Sequence, residues 1–142
     1  MTKTQIPLSL ILIILVPFLL MSCTASVKPE VADNEAQTLE YIKITAAEAK
    51  VMMDSEEVIV LDVRTPEESK VSRIAGSLLI PDYEIDRLAA EKLPDKDATI
   101  LVYCASGRRS EKASRQLIEL GYTNVYDFGG INGWPFETVS GD

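Results

Sequence analysis

Cys104 and the run that follows it, Ala105-Ser106-Gly107-Arg108-Arg109-Ser110, have the greatest capacity for chemistry in this chain. A thiol acts as a nucleophile through its thiolate, whose ordinary pKa of about 8.5 falls beside cations and at helix N-termini. TILVY, Thr99 to Tyr103, reads as a buried strand, and an amphipathic helix pattern begins near Ser110. Cys104 therefore stands at a strand-to-helix turn. Ala105, Ser106 and Gly107 are small enough for backbone N–H groups to converge on the sulfur, and Gly107 can take a positive φ. Those donors, the helix dipole and one or both arginines favour a thiolate, and the same cradle would bind a substrate anion. The alternative is a core cysteine ahead of a basic, solvated helix start.

Other chemistry is excluded by composition. The chain has no histidine, which removes zinc sites and histidine-dependent triads, and no metal or cofactor is expected. Its net charge of -8 argues against nucleic-acid binding and against electrostatic adhesion to anionic lipid.

The elements that must position the thiol can be read from periodicity. LEYIKI is a short strand, and Thr45-Ala46-Ala47-Glu48 matches a capping box for a helix through about Asp54. VIVLDV, Val58 to Val63, is apolar without alternation, as in a strand buried on both faces. Thr65-Pro66-Glu67-Glu68 starts a short helix or turn, LLIP is a brief strand, and Ile85, Leu88 and Ala89 form a helical stripe ending before Pro94. Glu111 to Leu120 carries Ala113, Leu117 and Leu120 on one face, with Gly121 as a left-handed cap. Asn124 to Phe128 is the last strand. Short apolar strands alternating with helices indicate an α/β domain with a parallel sheet covered on both faces.

Ahead of this domain, residues Ile6 to Met21 form an apolar run behind Lys3, short of the roughly 20 residues of a membrane span. It reads as a signal peptide ending in Leu20-Met21-Ser22-Cys23, which resembles the bacterial lipobox. By that resemblance residues 1–22 are removed and Cys23 is lipidated, with residues 23–38 a flexible tether and 39–142 the domain. The alternatives are an uncleaved anchor or a soluble export signal. Removal deletes Lys3 and no acid, so the charge of -8 becomes -9. The lipid, and not the surface charge, would hold the protein to a membrane on the periplasmic side, the outer membrane favoured by Thr24 after the cysteine. With Cys23 acylated, Cys104 is the one remaining thiol of two cysteines, and no disulfide framework is possible.

The loop CASGRRS resembles the active-site loop of the rhodanese domain family, Cys-x-x-Gly-x-Arg-Ser/Thr, filled by Cys104, Gly107, Arg109 and Ser110. LDVRTPEE, Leu61 to Glu68, is similar to the family's Asp-x-Arg segment, and NVYDFGGINGW resembles its closing strand, double glycine and tryptophan. The central segment departs from the family pattern, with Ser69, Ser72 and Arg73 in place of an aromatic, a glycine and a histidine. The resemblance implies sulfurtransfer. Cys104 takes sulfur from a small anionic, thiosulfate-like donor and passes it to cyanide or a thiol acceptor. Arg109 is expected first to hold the donor, with Arg108 or Arg64 assisting and the loop residues Ala105, Ser106 and Ser110 lining the cradle. Asp62 and Arg64 form an ion pair bracing the loop after VIVLDV, or Arg64 meets substrate directly. Gly129, Gly130 and Trp134 are expected to serve turn geometry and packing.

Two rival functions remain open on the residues alone. One is a thiolate-loop phosphatase or arsenate reductase, although tyrosine phosphatases place five residues between cysteine and arginine and this chain has four between Cys104 and Arg109. The other is a membrane-tethered sulfur-carrier or binding module with little turnover. For the export signal, Cys23→Ser should release the domain to the soluble fraction or leave an uncleaved precursor. Unchanged processing and membrane fractionation of that variant would refute lipidation.

Overall fold

The computed structural model describes residues 40–141; the expected signal peptide, Cys23 and the tether lie outside the described residues. The expected α/β architecture is present. Strands β1 (Ile42–Lys43), β2 (Ile59–Asp62), β3 (Leu78–Leu79), β4 (Thr99–Cys104) and β5 (Asn124–Gly130) form one sheet in the order β1-β5-β4-β2-β3. All its pairings are parallel. Helices α1 (Ala46–Ser55), α2 (Pro66–Val71), α3 (Ile85–Lys92) and α4 (Arg108–Glu119) connect them.

Side chains alternate across each strand, so the sheet divides its apolar residues between two cores. Ile100, Val102 and Cys104 of β4 face the side packed by Ile85 and Ala89 of α3 and by Ala113 and Leu117 of α4. Leu101 and Tyr103 face the opposite side, with Ala49 of α1 and Phe128 of β5. Cys104 thus closes a run of buried residues in the sheet's central strand, on the face that α4 covers.

Local signals set the helix ends. Thr45 with Glu48 and Thr65 with Glu68 both form reciprocal capping boxes, which satisfy N–H groups that the first helical turn leaves free. At the end of α4, Gly121 has φ 89°. There the Tyr122 N–H donates to the Leu117 carbonyl at 3.0 Å, and the Gly121 N–H to the Ile118 carbonyl at 2.9 Å. This left-handed cap puts Tyr122 into the core beside Leu117, where its hydroxyl donates towards the Ala89 and Leu93 carbonyls. Leu120, expected on the buried stripe, is instead 38% exposed, because the chain turns immediately beyond it.

At the carboxyl edge of the sheet, the end of β5 carries the loop that follows β4. An added Cβ on Gly130 would lie 2.3 Å from the Ala105 carbonyl oxygen and 2.6 Å from the Ser106 Cα, both backbone. No side chain can relieve such contacts by changing rotamer. Gly130→Ala is therefore expected to lower stability by about 1–3 kcal/mol, the cost of overpacking, and to displace the loop. The urea midpoint and the reactivity of Cys104 should fall together, and a wild-type value of either would disprove the close approach.

Candidate active site

The loop Cys104–Ser110 wraps a buried sulfur and directs the Gly107 N–H at it. Gly107 takes φ 102° and ψ -20°, a left-handed conformation that aims its N–H at the Cys104 Sγ, 3.0 Å away. Because Gly107 itself caps α4, the helix starts at Arg108, earlier than the expected start near Ser110. The Ser110 Oγ lies 3.7 Å from the sulfur. Its hydroxyl is also within reach of the Gly107 carbonyl at 2.9 Å and the Gly129 carbonyl at 3.1 Å.

Burial pushes the Cys104 thiol up. The N–H groups of Ser110 and Gly107, the Ser110 hydroxyl and the Ser106 N–H outweigh it and hold the thiol below its ordinary value. The residue is only 1% exposed, so an incoming group meets the sulfur through the loop opening and not across open surface. The arrangement is a recessed thiol whose ionised form the loop stabilises.

Behind the loop, β5 fixes the peptide that receives Ser110. The Asp127 Oδ1 accepts the Gly129 N–H at 2.9 Å, and Gly129 has φ 89°. The Asn132 N–H donates to the Ala105 carbonyl at 3.1 Å. Trp134 packs between Phe128, tilted against it, and Phe136, edge-on to it, with ring centroids 5.5 and 4.9 Å away. The double glycine and Trp134 thus act through backbone approach and packing.

Asp62 and Arg64 form a buried ion pair at the end of β2. The Asp62 Oδ1 accepts from the Arg64 Nε at 2.9 Å and from its backbone N–H at 3.0 Å, and Oδ2 accepts from Nη2 at 2.6 Å. Nη2 also donates to the Ser72 carbonyl at 2.7 Å, and the Tyr103 hydroxyl donates to Asp62 at 2.9 Å. Arg64 therefore braces the segment before α2 while lining a cleft of about 500 Å³ with Glu68, Ala105, Asn132 and Trp134.

Arg109, expected to hold the donor, is paired with Glu68 in the structure. Its Nη1 and Nη2 donate to the two carboxylate oxygens of Glu68 at 2.8 and 2.7 Å, a bidentate pair. The same Glu68 Oε2 accepts the Thr65 N–H at 3.0 Å, so one carboxylate joins the start of α2 to the start of α4. The Arg109 hydrogen bonds hold the Glu68 carboxyl well down, at about 2. Arg108 is exposed, without a hydrogen-bond partner among the described residues, while Ala105 and Ser106 form the loop's outer rim. Sequence reasoning missed Glu68, whose place in a capping box accounts for it locally, and Asp127, which reads as an ordinary strand position.

The profile of the family described as Rhodanese-like domain matches residues 45–136. Thiosulfate sulfurtransferase PspE of Escherichia coli is 38% identical over 81 residues, covering 57% of this chain and 78% of that protein. A tRNA uridine(34) hydroxylase of Cytophaga hutchinsonii is 37% identical over 115 residues, covering 74% of this chain but 36% of its own length. A solved structure, rhodanese with anions from E. coli, superposes with a TM-score of 0.57 at 36% identity, over 60% of this chain and all of that one.

The thiolate gives the site a testable pH signature. Alkylation of Cys104 by iodoacetamide should persist above the lowered thiol pKa and be lost as the pH falls through it, with a midpoint below that of a free thiol. Ser110→Ala removes one donor and should shift the midpoint upward, slowing the reaction at pH 7 by roughly two- to tenfold, the worth of one hydrogen bond to a charged group. A wild-type midpoint at or above that of a free thiol would contradict the donor ring.

Proposed function

The chain belongs to the rhodanese-like domain family, and from that premise we propose that it is a sulfurtransferase working through a persulfide on Cys104. The observation that carries the reading is the recessed sulfur under the Gly107 N–H, closed by a loop with four residues between Cys104 and Arg109. A tetrahedral phosphate needs a wider ring of donors. A terminal sulfur is a single atom on a slim axis and suits the narrow opening.

The Cys104 thiolate attacks the outer sulfur of a thiosulfate-like donor. A bond forms between Sγ and that sulfur, the donor's S–S bond breaks, and sulfite leaves with the electron pair. The acceptor, cyanide or a thiolate, then attacks the outer sulfur of the persulfide and returns Cys104 to its thiolate. No step removes a proton from carbon or water, so the chemistry does not call on the histidine that the chain lacks. A lipid on Cys23 would place this activity at a bacterial membrane, facing the periplasm.

Intact mass after thiosulfate exposure should show one added sulfur, removable by cyanide. Cys104→Ser should abolish both that mass shift and turnover while changing stability by no more than about 1 kcal/mol. Robust hydrolysis of aryl phosphates by the wild type, with no persulfide formed, would overturn the assignment in favour of a phosphatase.

A further inference from the structure

The cations that the sequence offers to a donor are mostly spent within the protein. Arg64 is matched by Asp62 and Arg109 by Glu68, so the four groups around the cleft sum to no net charge. Asp82, in the 3-10 turn Asp82–Glu84 after β3, lies close enough to act on Arg109 as a further anion. Arg108, in the loop itself, is exposed and belongs to neither pair, and the whole chain carries a charge of -8. A donor entering here meets a thiolate, backbone dipoles and balanced ion pairs. A dianion is repelled by the thiolate twice as strongly as a monoanion, and the Arg64 and Arg109 guanidiniums are already matched by carboxylates.

We propose that Glu68 is a specificity-determining residue of this site, neutralising Arg109 and so favouring donors with at most one negative charge over dianions such as thiosulfate. Thiosulfate remains a usable donor, but a weakly held one. A thiosulfonate monoanion is the favoured class, its sulfinate leaving with the electron pair as its S–S bond breaks. The donor assignment rests on the sulfurtransfer reading of Cys104, whereas the charge effect of Glu68 does not.

Glu68→Gln is the informative substitution. Glutamine is also a capping-box residue, so it can still accept the Thr65 N–H while the carboxylate charge is gone. Binding is read without turnover, as protection of Cys104 from iodoacetamide by sulfate, a dianion, and by methanesulfonate, a monoanion. One exposed negative charge removed a few ångströms away should tighten the monoanion by roughly two- to threefold and the dianion by roughly four- to ninefold, since the effect scales with ligand charge. KM for thiosulfate should fall relative to KM for methanethiosulfonate.

The double variant Glu68→Gln/Arg109→Gln restores the balance of charge without the pair and should return the sulfate-to-methanesulfonate ratio to near the wild-type value. A structural role for the pair would not give that reversal. An unchanged ratio in Glu68→Gln, or a ratio that stays high in the double variant, overturns the proposal. If the ratio shifts as stated while the wild type forms no persulfide, the charge role of Glu68 stands and the sulfurtransfer reading fails with its donor assignment.

Discussion

The reactive loop rests on backbone from which side chains are missing, and the remaining geometry of the site depends on that contact. Gly130 gives room to the Ala105 carbonyl, and Gly107 sits against Gly129, where an added Cβ would lie 3.5 Å from the Gly129 Cα. Held there, the loop can turn through the left-handed Gly107 and bring its N–H to the sulfur. Asp127 supports the arrangement from beneath. It receives the Gly129 N–H, and the Gly129 carbonyl is in turn a partner for Ser110, the residue nearest the thiol on the helix side. A packing constraint on β5 is thereby converted into the electrostatics of Cys104 on β4.

Two ion pairs then hold the segments around that loop, in different dielectric settings. Asp62 is fully buried and Arg64 almost so, and removing one member of such a pair typically costs about 3–5 kcal/mol because the other is left uncompensated. Tyr103 adds a donor to Asp62 and accepts the Ile74 N–H at 3.2 Å, so the pair also secures the chain between α2 and β3. Glu68 and Arg109 are partly exposed, and their pair is worth less to stability. Its consequence is the charge presented to a ligand. The buried pair serves the scaffold and the exposed pair serves selectivity.

Elements that announce themselves through local chemistry were legible in the sequence. The buried strands VIVLDV and TILVY, the capping box at Thr45, the glycine cap at 121 and the thiol turn all follow from residues adjacent in the chain. The start of α4 was less so, because Gly107 caps the helix by backbone conformation and not with the side chain that usually marks an N-cap. Leu120 fits the helical period, yet the turn through Gly121 gives its place in the core to Tyr122. Glu68 was hidden for a related reason. Its capping role is complete within four residues, and nothing local signals a partner 41 residues away. Long-range pairing of charges is a property of the fold, and periodicity does not encode it.

A sulfurtransfer cycle makes particular use of fixed donors. The resting thiolate and the ionised persulfide each place one negative charge in the loop, displaced only by the length of one sulfur. Donors arranged for the first state therefore serve the second with little rearrangement, which is the advantage of preorganised dipoles over mobile side chains. A general base would have no proton to take in either half of the cycle. The protein can then do without histidine, and its burden shifts to excluding water and rejecting excess negative charge. Burial of Cys104 meets the first demand, at the cost of raising the thiol, and the N–H ring reverses that cost. The paired arginines meet the second. A free guanidinium beside the sulfur would stabilise the thiolate further but would also hold any dianion that entered, lowering both nucleophilicity and turnover. Keeping Arg109 on Glu68 leaves the charge of the loop to the backbone, where its position cannot drift with a flexible side chain.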